Sequence, residues 1–215
     1  QVLLTMAWTA LGLYLLYLLL AFGLRTLIQW RRTGSTGFHG VGGSPGSAEW
    51  IAGVGFTLAL ALGASAPVLA LLDIVEPIEA LDDARLHVIG LWLALAGIAL
   101  TFYAQVAMGT SWRIGVDESE RTDLVTSGPF ALVRNPIFSA MIPTGLGLAL
   151  LVPSVVALAG FVALVTALEL QVRVVEEPYL LRVHGATYAE YAQRTGRFVP
   201  GVGRLGGTVA RQPQA

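Results

Sequence analysis

Apolar and polar positions fall in blocks along this chain. Five blocks are almost wholly apolar: residues 2–28, 50–72, 86–108, 137–151 and 154–170. Polar stretches separate them at 33–47, 73–85 and 109–133, and a polar run extends from 173 to 200. A helix of about 20 apolar residues crosses roughly 30 Å of hydrocarbon, so the first three blocks predict membrane spans. The last two are shorter, and Val152-Pro153 lies between them. They predict a tight helical hairpin, tilted or set in locally thinned membrane. Pro67, near the far end of the second block, predicts a kink within the helix. Trp8, Tyr14 and Tyr17 lie in the first block, and Trp30 at its end is placed as an interface anchor. The expected fold class is all-α, a polytopic membrane helix bundle of about five transmembrane helices.

Composition makes the membrane reading firm. The chain is 55% hydrophobic and 13% charged, with mean hydropathy +0.69, whereas soluble domains are about one quarter charged. A net charge of -1 gives no sign of a nucleic-acid partner. There is no Cys, which excludes disulfides, thiolate metal sites and Cys nucleophiles. Every basic residue other than His is Arg, so a Schiff-base lysine is excluded as well. The first block has no basic n-region or small-residue cleavage site and reads as a retained span. Gln1 suggests that the native start has been trimmed. No internal repeat is evident, which argues against an inverted-repeat transporter.

Charge then sets an expected orientation. Arg25, Arg31 and Arg32, then Arg113, Arg121 and Arg134, and finally the Arg-rich end all fall on one side if there are about five spans. The acidic stretch with Asp73, Glu76, Glu79, Asp82 and Asp83 falls on the other. The positive-inside rule places the N-terminus outside and the C-terminus in the cytoplasm, and a bacterial or archaeal-type plasma membrane is the expected location. Paired carboxylates can serve acid–base chemistry or hold a metal, but in the acidic stretch they read first as a solvated loop. His39 reads as solvated in a Gly/Ser-rich loop, His87 as interfacial and His184 as a helix-end residue; no metal is expected.

Two polar stretches carry the candidate chemistry. In 124–138, Gly128-Pro129 and Asn135-Pro136 are turn formers, because Pro fixes its own φ and restricts the residue before it. This built loop is expected to form half of a cofactor pocket at the cytosolic membrane face, and the C-terminal helices the other half. Tyr103 and Gln105, in the last turns of the third span, are placed to face such a pocket. Past the last span, Glu169, Arg173, Glu176 and Glu177 share one face of a continuous helix by i,i+3 and i,i+4 spacing. That cluster reads either as an anchoring charge network or as a site for a polar, cationic cofactor. Gly185 can end one helix and Thr187 start the next. Tyr188 and Tyr191 form an aromatic face that packs or lids a pocket. Arg194 and Arg197 meet lipid phosphate or clamp a substrate carboxylate. Residues 201–215 read as a disordered tail.

These residues resemble the isoprenylcysteine carboxyl methyltransferase family and its phospholipid methyltransferase relatives. The family pattern is Leu-Val-x-x-Gly-Pro-Tyr-x-x-x-Arg-His-Pro-x-Tyr, a hairpin, Glu-Glu, Gly-x-x-Tyr-x-x-Tyr and Arg-x-x-Arg-Phe-x-Pro. Here Leu124-Val125, Gly128-Pro129-Phe130, Arg134-Asn135-Pro136 and Phe138 stand in the first motif. Glu176-Glu177, Gly185 to Tyr191 and Arg194 to Pro200 follow in order. Asn135 replaces the usual His, and Phe130 and Phe138 replace Tyr.

The resemblance implies a methyltransferase that uses S-adenosylmethionine, within one membrane domain over 1–215: three spans in 1–108, then a cofactor-binding core in 109–200. It implies a cofactor site lined by Thr122, Leu124, Val125, Phe130, Val133, Arg134, Asn135, Pro136, Phe138 and Glu176. Arg173 and Glu177 would take catalytic roles, and Arg173, Tyr188, Arg194 and Arg197 would face the acceptor. Asn135 keeps a hydrogen bond but cannot titrate, and Phe keeps stacking and cation–π contact without the hydroxyl. Either Glu176 or Glu177 would hold the ribose hydroxyls or the amino group. The partners implied are membrane lipids and a lipophilic small-molecule or lipid acceptor. The alternatives are an NADPH-dependent membrane reductase of the steroid-reductase type and a non-enzymatic lipid-binding protein.

Overall fold

The computed structural model describes residues 2–37, 40–112 and 123–206. Five helices account for the five apolar blocks. Helix α1 is Val2–Thr33, α2 Ala48–Leu71, α3 Ala84–Ala107, α4 Pro136–Leu151 and α5 Val155–Arg194. Four are long and apolar enough to cross a membrane. With 16 residues, α4 spans only about 24 Å and is the short arm of the expected hairpin. The starts of α2 to α5 are specified locally. Ser47, Asp83 and Ser154 accept backbone N–H bonds from Trp50, Arg85 and Ala157 at the starts of α2, α3 and α5. Pro136 opens α4, where its missing N–H costs nothing. Helix α1 ends at Gly34, whose φ of 76° is the left-handed stop that glycine adopts without strain.

The helices pack through small residues. At Gly97 of α3 an added Cβ would sit 2.8 Å from the Ala140 carbonyl of α4, and at Gly90 it would sit 2.8 Å from the Gly147 carbonyl. Helices α2 and α5 meet similarly at Gly160, close to Leu62 and Gly63. Such contacts suit a bilayer, where apolar side chains gain little from leaving lipid and close backbone packing holds helices together. Large apolar side chains point outward instead: Trp8, Leu19, Trp92 and Val162 are all strongly exposed. Tyr14, on α1, donates to the Leu60 carbonyl of α2 at 2.6 Å.

The two ends of the bundle differ. At one, the acidic stretch meets the hairpin turn, where Ile78 N–H donates to the Pro153 carbonyl at 2.6 Å. The other carries the ends of α1 and α3, the 123–135 loop and the C-terminal part of α5. Here α1 and α5 each contain a π-helical turn, Leu19–Leu24 and Gln171–Glu176. Gly185, with φ 51° and ψ −125°, breaks α5 at the glycine the sequence marks as a helix end. Beyond Arg194 the chain folds back on the helix, and Leu205 N–H donates to the Ala192 carbonyl at 3.0 Å. Residues 201–206 of the expected tail are among the described residues and run back against the helix end. Residues 207–215 lie outside the described residues.

Candidate cofactor site

The loop begins at Asp123 and runs through a short 3-10 turn, Gly128–Ala131, to Pro136. Its first half leans on α5: Leu124 packs against Tyr188, Tyr191 and Ala192. The Tyr191 hydroxyl donates to the Phe130 carbonyl at 2.6 Å. Its second half runs beside the chain that leaves α5. Arg134 N–H donates to the Gly196 carbonyl at 2.8 Å and Asn135 N–H to the Arg197 carbonyl at 3.1 Å, with Val133 and Gly196 bridged in parallel. The Ser139 hydroxyl adds a bond to the Phe198 carbonyl at 2.7 Å. Removing the Tyr191 hydroxyl would orphan a buried carbonyl, so Tyr191→Phe is expected to lower stability by about 1–3 kcal/mol, readable as a lower Tm in detergent.

Arg134 is the centre of this join. Its guanidinium is buried and donates to the carbonyls of Ala192 (3.1 Å), Thr195 and Gly203 (3.0 Å), and to Glu177 Oε1. Three of those acceptors lie at or beyond the end of α5, where carbonyls lack helical partners and a cation suits the helix dipole. Glu177 is equally buried and also receives Arg197, from Nε at 2.8 Å and Nη2 at 2.9 Å. The Glu177 carboxylate in turn raises the Arg197 pKa above its usual value. One carboxylate and two guanidiniums therefore tie loop, helix and returning chain together.

This geometry revises the acidic cluster expected around Arg173. A continuous α-helix would put Glu176 and Glu177 beside Arg173, but Gln171–Glu176 is a π-turn, which widens the helix and shifts the register. Glu177 consequently points inward to Arg134 and Arg197. Arg173 stays exposed and pairs with Glu169. Glu176 is half-buried, and its Oε1 accepts from Gln171 Nε2 at 3.4 Å.

The remaining candidates differ in burial and packing. Phe130, Val133, Pro136 and Tyr188 are buried and support the loop. Phe138 is half-buried and packs on the apolar cluster of Tyr17, Ile98, Met141 and Leu168. Leu124, Val125 and Asn135 are half-buried, and Arg194 is exposed. Asn135 donates its side-chain amide to the Arg197 carbonyl at 3.2 Å. Thr122 and His39 lie outside the described residues. Tyr103 is exposed rather than facing the site, while Gln105 is buried. Among the described residues no group of three His, Asp or Glu is placed to hold a metal.

Sequence reasoning missed Arg25. It was grouped with surface Arg31 and Arg32, yet it is 1% exposed. A cation one turn inside the end of an apolar helix, instead of beyond it, is the signal that could have marked it.

Residues 86–187 match the family model of the phospholipid methyltransferases. The fold is similar to the solved structure of a eukaryotic intramembrane Ras methyltransferase, isoprenylcysteine carboxyl methyltransferase. The TM-score is 0.65 at 19% identity, over 94% of this chain and 69% of that one. No curated protein sequence matches the chain at a significant level. At this identity the structural likeness establishes the fold. The motif resemblance is therefore borne out: this membrane protein carries the phospholipid methyltransferase pattern over 86–187, on a bundle shaped like the isoprenylcysteine carboxyl methyltransferase.

Proposed function

We propose that this chain is an integral membrane methyltransferase that moves a methyl group from S-adenosylmethionine to a lipophilic acceptor at the cytosolic membrane face. The observation that carries the reading is the buried Arg134–Glu177–Arg197 join. It fixes a polar loop against the end of α5 where the membrane gives way to water, and two of its three residues, Arg134 and Glu177, lie within the matched 86–187. On this reading 109–200 forms the catalytic core, the N-terminus is outside and the C-terminus is cytoplasmic.

The residues present fit a cationic, polar donor. On this reading Glu176, a half-buried carboxylate on α5, takes a cationic amino group or ribose hydroxyls. Asn135 spends its amide N–H on Arg197 and presents an acceptor oxygen. Leu124, Val125 and Phe138 supply half-buried apolar walls. Glu177, neutralised by two guanidiniums, serves better as a positioning residue than as a base. When bound, S-adenosylmethionine supplies an electrophilic methyl group on a sulfonium. The protein's work is then chiefly to hold donor and acceptor in line and keep water out. A carboxylate acceptor loses charge in such a transfer and needs no base, whereas an amine acceptor would need one, a role this reading gives to Glu176.

The spans also leave a small apolar gap among themselves. A cavity of about 60 Å³ runs between α1, α2, α4 and α5, bounded by small residues such as Ala59, Gly63, Gly145 and Gly160. It reaches Tyr17 and Met141, which border the cluster holding Phe138. At that size it holds no more than a few methylene groups, so on this reading the lipophilic acceptor enters sideways from lipid near the site while the polar donor enters from water.

The test is calorimetric titration of the purified protein with S-adenosylhomocysteine, beside Glu176→Ala. Binding by the wild type and at least roughly tenfold weaker binding by a folded variant is expected, the loss of one charge-assisted contact. A well-folded wild type that binds no S-adenosylhomocysteine overturns the methyl-donor reading, and NADPH would then be titrated.

A further inference from the structure

The buried Arg25 has no part in the site described above, yet it is built into the structure that leads to it. It lies on α1 directly after the π-turn Leu19–Leu24. In that turn the Arg25 N–H bonds to the Leu20 and Phe22 carbonyls, and the Ala21 carbonyl takes a partner outside α1. Gln105 of α3 takes it, through Nε2 at 3.0 Å. The Arg25 side chain answers in the other direction. Its Nε donates to the Gln105 carbonyl at 3.2 Å, its Nη2 donates to the Gly109 carbonyl, and its guanidinium lies 4.7 Å from the centre of the Trp112 ring. One turn on, Gln29 Nε2 donates to the Thr110 carbonyl at 2.8 Å.

These bonds converge on the place where α3 ends. The last carbonyls of a helix have no helical partners, and a cation there is favoured by the helix dipole. Two carbonyls, a dipole end and a ring face replace the carboxylate that a buried guanidinium normally requires. What they hold still is the exit of α3: Gly109–Ser111 and Trp112, from which the chain goes on to the loop. Ser111 Oγ donates to the Asp123 carbonyl at 3.3 Å, so the clamped turn touches the residue next to Leu124. Leu124 in turn packs on Tyr188 and Tyr191.

We infer that Arg25 is a positioning residue: through Gln105, Gly109 and Trp112 it sets the start of the 123–135 loop, and so the shape of the cofactor site, from a helix that supplies none of the candidate cofactor-binding residues. The inference rests on the proposed function for its affinity readout only. A second readout, hydrogen exchange, does not depend on any methyl donor.

The experiment compares wild type, Arg25→Gln and Arg25→Lys in detergent. Arg25→Gln is expected to speed exchange at Asp123–Phe130 while leaving α2 and the α4–α5 hairpin unchanged. It is expected to weaken S-adenosylhomocysteine by roughly 10- to 100-fold, the scale at which small misplacements act. Lys keeps the charge and can reach one carbonyl, so Arg25→Lys should recover part of both effects. Unchanged exchange in the loop, or a rise spread evenly over all helices, overturns the inference and leaves Arg25 as a general anchor. If wild type binds no S-adenosylhomocysteine, the donor reading fails by itself, and the exchange pattern still decides the role of Arg25. Should Arg25→Gln not fold, Gln29→Leu, which removes only the Thr110 bond, is expected to show the same pattern more weakly, and a flat pattern there overturns the inference.

Discussion

Arg134→Ala is expected to cost about 3–5 kcal/mol of stability and to abolish S-adenosylhomocysteine binding in whatever protein still folds. The magnitude follows from what the substitution leaves behind. Arg134 and Glu177 are each 6% exposed. Without Arg134, the Glu177 carboxylate stays buried with Arg197 as its remaining cation, the carbonyls of Thr195 and Gly203 lose their Arg134 donor, and that of Ala192 keeps the Leu205 N–H. Those carbonyls belong to the end of α5 and the returning chain, so the parallel run of 133–135 beside 196–197 should open as well. Arg134→Lys is expected to recover little, because one ammonium cannot replace a planar fork that reaches several acceptors at once. Thermal unfolding in detergent gives the first number and calorimetry the second. A variant with wild-type Tm would mean that the join is not what holds loop to helix.

Gly97→Leu is expected to be the other severe change, and for a reason unrelated to chemistry. An added Cβ at this position would lie 2.8 Å from the Ala140 carbonyl and 2.8 Å from the Thr144 N atom. These are backbone atoms of α4 and cannot swing aside as a side chain does. Helices α3 and α4 would have to separate, losing the contact along Gly90, Gly97 and Gly147 that brings the 123–135 loop to its place. Overpacking costs typically about 1–3 kcal/mol, and this case should reach or exceed the top of that range because the obstacle is backbone. Gly12→Leu is the matched control. Nothing lies within 4 Å of a Cβ there, and Leu is the better helix former, so the control should unfold at or above the wild-type temperature. Equal Tm values for the two variants would show that the α3–α4 contact is not tight.

The spans were legible because a membrane imposes simple local rules. Residues 137–151 and 154–170 were read as a hairpin from length and Val152-Pro153, and α4 and α5 turn at that point. Gly185 as a helix break and Pro136 as a helix start were legible for the same reason, since both act through their own backbone. The motif around Arg134-Asn135-Pro136 marked where the site lies. It did not say which residues build it and which would face a ligand.

That division was decided by the tertiary structure. Glu176 and Glu177 are neighbours of identical chemistry, and no local property separates them. A π-turn one residue earlier rotates Glu177 onto Arg134, 43 positions away, and leaves Glu176 beside Gln171. Arg25 is a like case. By sequence it belongs with Arg31 and Arg32, but the packing of α1 on the end of α3 buries it over Trp112. Hydropathy and turn residues act within a few positions and so determine by themselves that the chain spans a membrane and where it turns. The pairing of one guanidinium with one carboxylate depends on the rotation and close approach of whole helices, which small residues such as Gly97 and Gly147 permit and only the packed bundle fixes.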